Sequence, residues 1–269
     1  MKFSVLISVY YKEQPQYLVL ALNSIFNQSV LPDEVILVKD GPLTEELNNI
    51  ILEFCKNYAQ ITVVPLDTNV GLGRALNEGL KHCSNNLIAR MDTDDIAKYN
   101  RFEKQLAVFE KYPNIDICSA WIEEFEGNTD NILSVRKLPE MHDDIIRFAK
   151  HRCPINHPVV MYKKDCVTKV GGYEGFPEDY RLWIKMIMNG AIFYNLQECL
   201  LSFRFSRDMI KRRGGWKYAY EDVKSQINFH KMGFISFAEM MYNISIRTTV
   251  RLTPTVIRDF IYKKILRKK

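Results

Sequence analysis

The first half of the chain alternates short apolar runs with amphipathic segments. Four runs have the continuous hydrophobic pattern of strands that are buried on both faces, namely FSVLISVY, EVILVKD, ITVVPL and NLIARMD. The segments between them place apolar residues at helical spacing, as in Leu18, Leu22 and Ile25. Repeated strand–helix units predict a single doubly wound, mostly parallel α/β sheet, in which ligands bind beyond the carboxyl ends of the strands.

The second half has a less regular pattern. The segments IDICSAWIEEF and HPVVMYKK resemble strands, and PEDYRLWIKMIMNG has the spacing of a helix with Leu182 and Trp183 on its apolar side. From Arg204 onward the pattern predicts helix to the end of the chain. We therefore predict an α/β domain over residues 1–203 and a basic, mainly helical extension over residues 204–269.

The positive charge is concentrated in two segments near the end of the chain. The net charge is +5, yet residues 1–203 carry a net charge of −6, residues 204–217 carry +5 and residues 251–269 carry +6. This distribution indicates two local anionic contacts and argues against a general nucleic-acid-binding surface.

Cysteine usage and hydropathy favour an intracellular protein. The six cysteines are scattered and form no Cys-x-x-Cys pair, so neither a zinc site nor a disulfide framework is indicated. The apolar start of the chain is typical of a buried first strand, because it is short and ends at Lys12 and Glu13. No stretch approaches the roughly 18 apolar residues that a membrane span needs.

Three aspartates follow the fourth strand-like run within four positions, at Asp92, Asp94 and Asp95. Carboxylates this close repel one another unless a cation lies between them, and a divalent metal ion is the obvious candidate. The pattern is not that of an EF-hand, because Ile96 and Ala97 stand where a further ligand and a glycine are required. A solvated acidic loop remains the alternative from these residues alone.

Six ordered motifs over residues 1–200 resemble those of family-two glycosyltransferases with the A-type, Rossmann-like fold. They are SVLISVYYKE, VILVKDGP, NVGLGRALNEGL, ARMDTDD, NHPVVM and GGYEGFPEDYRLW. The resemblance implies a nucleoside-diphosphate sugar donor, usually of uridine, and a Mn²⁺ or Mg²⁺ ion on its diphosphate. Hard carboxylate oxygens suit both ions.

The resemblance also implies roles for residues near the predicted cleft. Asp94 would contact the metal, Asp92 the ribose or the metal, and Asp95 would be a further or supporting ligand. Asp40 would accept a hydrogen bond from the uracil N–H, although Asp40-Gly41-Pro42 also fits a plain turn. The remaining implied contacts with substrate are the Val9–Tyr10–Tyr11 turn, with Val9 and Tyr11 against the base, Glu13 at the ribose, Arg74 towards the nucleotide and His157 on the acceptor or diphosphate side.

The pair Glu178 and Asp179 matches the Glu-Asp pair of this family, whose aspartate acts as the base in inverting members. The alternative is that both acids are simply favoured in the first turn of a helix, where the dipole stabilises negative charge. The two interpretations are compatible, because the same dipole keeps a base ionised. We predict Asp179 as the base, with Glu178 beside it.

Two basic segments lie beyond the resemblance. Arg212 and Arg213 stand beside two glycines and are predicted to contact the diphosphate, with a solvated loop as the alternative. The tail over residues 254–269 predicts a basic amphipathic helix, either a membrane-surface anchor or an ordinary docking helix. The Gln-x-x-Arg-Trp motif of processive family members does not match RFSRDMIKRRGGW, which argues against chain polymerisation.

Together these features predict an inverting, metal-dependent glycosyltransferase. It would move one sugar from a UDP-sugar to a hydroxyl of a lipid-linked glycan in surface polysaccharide synthesis, such as lipopolysaccharide or capsule. The expected location is the cytoplasm, at the inner face of the plasma membrane. The alternatives are a sugar-nucleotide-binding homologue or membrane scaffold without turnover, and a sugar-nucleotide pyrophosphorylase, which would need a glycine-rich basic loop where SVYYKEQ stands.

Overall fold

The structure is a computed structural model that describes residues 1–206 and 214–254. Its strands are β1 (Phe3–Val9), β2 (Glu34–Lys39), β3 (Ile61–Pro65), β4 (Leu87–Asp92), β5 (Ile96–Ala97), β6 (Ile117–Phe125), β7 (Ile132–Arg136), β8 (Met161–Lys163) and β9 (Phe193–Arg204). Its helices are α1 (Pro15–Phe26), α2 (Glu45–Asn57), α3 (Leu72–His82), α4 (Arg101–Lys111), α5 (His142–Ala149), α6 (Lys164–Lys169), α7 (Glu178–Met188), α8 (Trp216–Lys231) and α9 (Phe237–Leu252), with a 3₁₀ turn at His157–Val159.

All nine strands form one sheet in the order β3-β2-β1-β4-β8-β6-β9-β5, with β7 paired to β6. The first four strands are parallel, as predicted, and so are β6 and β9. The pairs β4–β8, β6–β8, β5–β9 and β6–β7 are antiparallel, so the second half of the sheet is mixed. A short turn joins β6 to β7, and a connection that short permits only antiparallel pairing. The α/β fold class is confirmed.

Helices cover both faces of the sheet, which explains why the strand sequences are continuously apolar. On β1, Val5 and Ile7 pack against α1 and α2 on one side, whereas Leu6 packs towards α3 on the other. All three side chains are fully buried. Successive strand residues point to opposite faces, so a strand between two helical layers needs apolar residues at every position.

The C-terminal extension is mainly helical from Trp216 to Leu252, as the sequence predicts, but its predicted start at Arg204 falls within a strand. The strand β9 runs through Arg204, and two helices, α8 and α9, follow from Trp216. They form an antiparallel hairpin whose turn ends in a capping box between Ser236 and Glu239. No helix in the described ranges is long and apolar enough to cross a bilayer. Arg212, Arg213 and the predicted tail helix from residue 255 onward lie outside the described residues.

Buried contacts attach this hairpin to the α/β core. The ring of Phe229 on α8 meets that of Tyr180 on α7 edge to face, with centroids 5.0 Å apart. The hydroxyl of Ser225 donates a 2.6 Å hydrogen bond to the carbonyl oxygen of Phe176, just before α7. The hairpin therefore supports the start of α7, where Glu178 and Asp179 lie.

Candidate active site

A cleft of about 510 Å³ opens where β1, β2 and β4 end. Parallel strands bring their carboxyl ends to one edge of the sheet, and side chains that follow them converge there. Phe203 of β9 and Tyr218 of α8 complete the lining from the second half of the chain. The lining residues are Ser8, Tyr10, Glu13, Asp40, Asn69, Gly71, Leu72, Asp92, Thr93, Asp94, Phe203 and Tyr218.

The three aspartates converge at one side of this cleft. Each of Asp92, Asp94 and Asp95 offers a carboxylate oxygen, and these oxygens lie within 4.8 Å of one another. Asp95 is fully buried, and its Oδ1 accepts a 2.9 Å hydrogen bond from the backbone N–H of Arg204. Its Oδ2 is buried without a hydrogen-bond partner among the described residues. A buried oxygen of this kind is costly unless a ligand satisfies it.

The electrostatics of the cluster fit a divalent cation. Burial and the nearby charges of Asp92 and Glu13 raise the pKa of Asp94 to about 7. Burial and the charges of Asp94 and Asp92 raise the pKa of Asp95 well above its usual range. The ionised cluster is therefore unfavourable by itself, and a hard cation would relieve it. Carboxylate oxygens at this spacing suit Mn²⁺ or Mg²⁺, so the residues present fit the predicted metal.

Glu13 joins the same group of acids. Its carboxylate accepts hydrogen bonds from the hydroxyl of Thr93 and, at 2.8 Å, from the backbone N–H of Gln14. Burial raises its pKa, and the charge of Asp92 raises it further. Glu13 thus faces the aspartates from the loop after β1, where it can reach a sugar hydroxyl or the cation.

Two buried arginines lie behind the aspartates. The guanidinium of Arg90 is 1% exposed and forms an ion pair with Oδ1 of Asp92. Nη2 of Arg101, also fully buried, donates a 2.6 Å hydrogen bond to the carbonyl oxygen of Arg90. Burial and the charge of Arg90 lower the pKa of Arg101 to about 9. These cations offset part of the carboxylate charge and fix the side chain of Asp92.

Arg204, at the end of β9, secures the aspartate turn. Beyond its backbone bond to Asp95, its Nε donates a 2.9 Å hydrogen bond to the carbonyl oxygen of Asp94. Its guanidinium lies 3.8 Å from the ring centroid of Tyr17 and 4.6 Å from that of Phe125. In the sequence, Arg204 is recognisable only as part of a basic segment. A contact across 109 positions leaves no local signal.

Asp40 lies in the cleft, but its carboxylate already has partners. Oδ1 accepts a 2.7 Å hydrogen bond from the N–H of Val70, and Oδ2 accepts from the N–H of Gly71 and from Nδ2 of Asn69, both at 3.1 Å. Next to it, Gly41 has φ +84°, and a Cβ there would come 2.6 Å from the backbone nitrogen of Asn69. Asp40 therefore holds the loop over residues 69–71 against the end of β2, and its contact with a base stays a prediction.

The end of β1 corrects the predicted contacts of Val9 and Tyr11. Ser8 and Tyr10 line the cleft, whereas Val9 is fully buried in the core and Tyr11 is about half exposed outside the cleft. The reason is strand alternation, since side chains two positions apart share a face. The middle residue of the predicted Val9–Tyr10–Tyr11 turn is thus the one that faces the site.

Glu178 and Asp179 occupy the first turn of α7 and point to different surroundings. Burial raises the pKa of Glu178, with further contributions from the charges of Asp179 and Asp92. Oδ1 of Asp179 accepts a 2.7 Å hydrogen bond from the N–H of Tyr180, and Oδ2 lies 3.8 Å from the thiol sulfur of Cys153. A Cβ at Gly73 would stand 3.3 Å from that of Glu178, so the glycine allows α3 to approach α7.

The structure places His157 in the interior and not on the cleft surface. Its Nε2 lies 3.2 Å from the hydroxyl oxygen of Tyr173, and its ring packs against Tyr173 and Trp183. Burial and the charge of Arg90 lower its pKa well below the usual range. A neutral histidine among aromatic rings supports the wall behind the site and does not line the site itself.

Arg74 also lies outside this cleft. It is exposed on α3 and lines a neighbouring groove of about 380 Å³ together with residues 66–68 and Val70. The loop over residues 69–71 belongs to both surfaces, because Val70 faces the groove and Gly71 faces the cleft. Arg74 does not line the cleft, so its predicted contact with the nucleotide stays a prediction.

The chain is similar in sequence to known glycosyltransferases. A family model described as glycosyl transferase family 2 matches residues 4–166. The chain is 44% identical to a UDP-Gal:α-D-GlcNAc-diphosphoundecaprenol β-1,3-galactosyltransferase of Escherichia coli, covering 99% of this chain and 97% of that protein. It is 37% identical to the amylovoran biosynthesis glycosyltransferase AmsE of Erwinia amylovora, covering 97% and 98%.

A solved structure supports the fold at lower identity. The mannosyltransferase PcManGT of Pyrobaculum calidifontis, in complex with GDP-Man and Mn²⁺, superimposes with a TM-score of 0.67 at 15% identity. The match covers 92% of this chain and 69% of that one. At 15% identity this match shows a similar arrangement of strands and helices, that is, the fold alone.

Proposed function

This chain belongs to glycosyl transferase family 2 and is a glycosyltransferase, and from that premise we propose that it transfers one sugar from a UDP-sugar to a hydroxyl of a lipid-linked glycan. The observation that carries the proposal is the carboxylate cluster beside the cleft at the ends of β1, β2 and β4. The relative from E. coli uses UDP-Gal and a diphosphoundecaprenol acceptor, according to its name, and aligns along nearly its whole length. UDP-galactose is therefore the first donor to test.

The donor would bind with its diphosphate at the aspartates. Asp94 and Asp95 would hold the divalent ion, with Asp92 as a further ligand fixed by Arg90. When bound, the ion supplies positive charge that stabilises the departing diphosphate. Tyr10 and Asp40 line the same cleft and would face the nucleoside, and Glu13 would reach the ribose.

The acceptor would approach from the start of α7. A sugar hydroxyl is a poor nucleophile while protonated, so a carboxylate on that side must take its proton. We assign this role to Asp179, whose Oδ2 has only a weak thiol contact among the described residues. Attack opposite the leaving diphosphate gives inversion at the anomeric carbon.

A panel of UDP-sugars tests the activity directly. We expect UDP release that requires both a lipid-diphosphate-linked N-acetylglucosamine acceptor and Mn²⁺ or Mg²⁺, and that a chelator abolishes. Proton NMR of the product should show the anomer opposite to that of the donor. Donor binding without release in the presence of any such acceptor would instead favour the non-catalytic sugar-nucleotide-binding alternative.

Paired variants identify the base. We expect Asp179→Asn to lower the transfer rate by about 10²-fold, in the usual range for a general base, while donor and metal affinity barely change. Glu178→Gln is the matched control. A collapse in Glu178→Gln with normal turnover in Asp179→Asn would move the base to Glu178, whose raised pKa makes it the competing candidate. Normal turnover in both variants would leave the pair as a favourable helix start.

The proposed acceptor also implies where the enzyme acts. A diphosphate-linked lipid holds its sugar at the surface of a bilayer, so the cleft must work there. We accordingly propose a peripheral position at the inner face of the plasma membrane, in the synthesis of a surface polysaccharide such as lipopolysaccharide or capsule. Similarity to an amylovoran biosynthesis enzyme supports the polysaccharide role.

A further inference from the structure

The outer face of the C-terminal hairpin carries an unusual set of exposed apolar side chains. On α8, Trp216 is 77% exposed and Tyr220 is 60% exposed. On α9, Phe237 is 62% exposed and Tyr242 is 59% exposed. We call this surface the hairpin face, and it comprises Trp216, Tyr220, Ile227, Phe237, Met241, Tyr242 and Ile246.

The exposed positions are regular along both helices. Trp216, Tyr220 and Ile227 recur at spacings of four and seven on α8, so they share one side of the helix. On α9 the exposed residues between Phe237 and Thr249 are all uncharged. Apolar exposure at helical spacing over both helices marks an interaction surface, because scattered single residues would show no such order.

Charged groups near this face are basic. Lys217, Lys224 and Lys231 are exposed on the same side of α8, and Nζ of Lys224 lies 4.5 Å from the ring centroid of Tyr220. Each acid of the hairpin is paired with a cation. Asp222 is buried against two arginines of α9, Glu239 caps α9 and contacts Lys150, and Glu221 contacts Lys224.

Tryptophan, tyrosine and lysine around an uncharged helical surface are typical of the interface between water and lipid. Aromatic rings with a polar edge suit the headgroup region, and lysines extend their charge towards anionic headgroups. The cores of protein interfaces, in contrast, are depleted in lysine. In addition, the sequence directly after the hairpin, residues 255–269, contains six Lys or Arg and one Asp.

We propose that the hairpin face docks on the surface of an anionic lipid bilayer. The partner is identified by charge complementarity, because the exposed lysines and the following basic sequence match anionic headgroups and the uncharged residues match the acyl boundary. Protein–lipid contact through this face does not depend on the donor cleft.

The inner side of the same hairpin reaches the cleft. Arg251 of α9 forms a 2.7 Å bond from Nε to Oδ2 of Asp222, and its guanidinium lies 4.4 Å from the ring centroid of Tyr218. Tyr218 lines the cleft. Docking would therefore hold the cleft near the membrane. The use of this position in the reaction rests on the proposed lipid-linked acceptor, whereas the docking itself does not.

Vesicle flotation with the full chain tests the docking. We expect wild-type protein to bind phosphatidylglycerol vesicles and not phosphatidylcholine vesicles, and Met241→Glu/Ile246→Glu to bind at least tenfold more weakly. Leu20→Glu/Leu52→Glu, which charges two similarly exposed residues on α1 and α2, should bind like the wild type. The basic tail is intact in every variant, so equal binding by all of them would assign binding to the tail and overturn the proposal.

Tryptophan fluorescence locates the contact independently. Of the three tryptophans, Trp216 is exposed on the hairpin face, Trp183 is fully buried, and Trp121 is partly buried on β6. Bromine on the acyl chains near the headgroups should therefore quench the emission of Trp216 in the wild type, and Trp216→Phe should lose this quenching. Quenching that persists in Trp216→Phe would overturn the proposal. So would a stable dimer, measured by light scattering, that Met241→Glu/Ile246→Glu dissociates while neither protein binds vesicles. UDP-sugar affinity should be equal in all variants. This measurement tests the donor assignment independently of the membrane docking.

Discussion

Two buried aspartates, Asp95 in the cleft and Asp222 in the hairpin, differ in how many partners satisfy their carboxylate oxygens. Oδ1 of Asp222 lies 3.3 Å from Nη1 of Arg247, and its Oδ2 lies 2.7 Å from Nε of Arg251. Asp95 receives one backbone N–H and has a buried oxygen without a partner among the described residues. Both residues are at most 2% exposed. Burial alone therefore does not separate a structural acid from a functional one.

The pKa values of an acid in the cleft and an acid in the hairpin are shifted in opposite directions. Near Asp95, burial and neighbouring carboxylates raise the pKa of Asp94 to about 7. In the hairpin, hydrogen bonds from Ser236 and a contact with Lys150 lower the pKa of Glu239 to about 2. The hairpin matches each acid with its own cations and donors, whereas Arg90 offsets the charge of the cleft acids only in part and a cation from solution would neutralise the rest.

The largest expected effect comes from removing one charge from the cleft. We expect Asp94→Asn to abolish metal-dependent binding of the UDP-sugar, because a neutral amide cannot replace the anionic ligand. The melting temperature without metal should stay the same or rise, since repulsion among the carboxylates is reduced. Calorimetry with and without Mn²⁺ measures the affinity. Asp143→Asn, an exposed change on α5, is the control, and unchanged metal-dependent affinity in Asp94→Asn would remove Asp94 from the site.

The corresponding change in the hairpin should affect stability and not binding. We expect Asp222→Ala to lower the free energy of unfolding by about 3 kcal/mol, because two partly buried arginines lose their partner. Urea denaturation followed by circular dichroism measures it. Glu221→Ala, next to it but on the surface, should cost at most about 1 kcal/mol. Equal losses in both variants would contradict the structural role of Asp222.

Arg204 offers an intermediate test, because it supports the cleft acids without occupying a ligand position. We expect Arg204→Met to weaken Mn²⁺ binding by about tenfold, the low end for residues that orient metal ligands. The backbone bond to Asp95 remains in this variant. The loss of affinity therefore measures the hydrogen bond from the Arg204 side chain to the carbonyl oxygen of Asp94. Arg147→Met on the surface of α5 should have no effect. Full Mn²⁺ affinity in Arg204→Met would show that the backbone alone positions the turn.

The smallest expected effect is a pH dependence in the hairpin. Because the folded state lowers the pKa of Glu239 from 4.5 to about 2, its stabilisation is present above pH 4.5 and is lost as the pH falls from 4.5 towards 2. We expect Glu239→Gln to destabilise the protein by about 0.5 kcal/mol at pH 6, the low end for a lost capping interaction. Thermal melts at several pH values measure this. A difference that persists unchanged at pH 2 would contradict the assignment.

Much of the fold follows from local pattern. The four parallel strands, the helices between them and α7 were all predictable, because each is encoded by periodicity within a short segment. The aspartates fell at the end of β4 for the same reason. The predicted turn after β1 continues the alternation of the strand. On that basis Ser8 and Tyr10 share a face, so the sequence also indicates that Tyr10 faces the cleft.

The site contained features that no local pattern encodes. His157 and Arg74 belong to matching motifs, yet one lies among aromatic rings and the other lines a separate groove. Their placement depends on how distant helices pack on the sheet. The sequence pattern also did not indicate the exposed aromatic stripe of α8, because this helix mixes aromatic and basic residues without a strong apolar face.

By itself, the sequence determined the α/β class, the order of the first strands and the position of Asp92 to Asp95 beyond a strand end, since hydrophobic periodicity and chain order are properties of neighbouring residues. Only the tertiary structure decided that Arg204 holds those aspartates from 109 positions away and that Asp222 is satisfied where Asp95 is not. The physical reason is that a carboxylate's free energy depends on every charge and donor within a few ångströms, and folding brings those groups from distant parts of the chain.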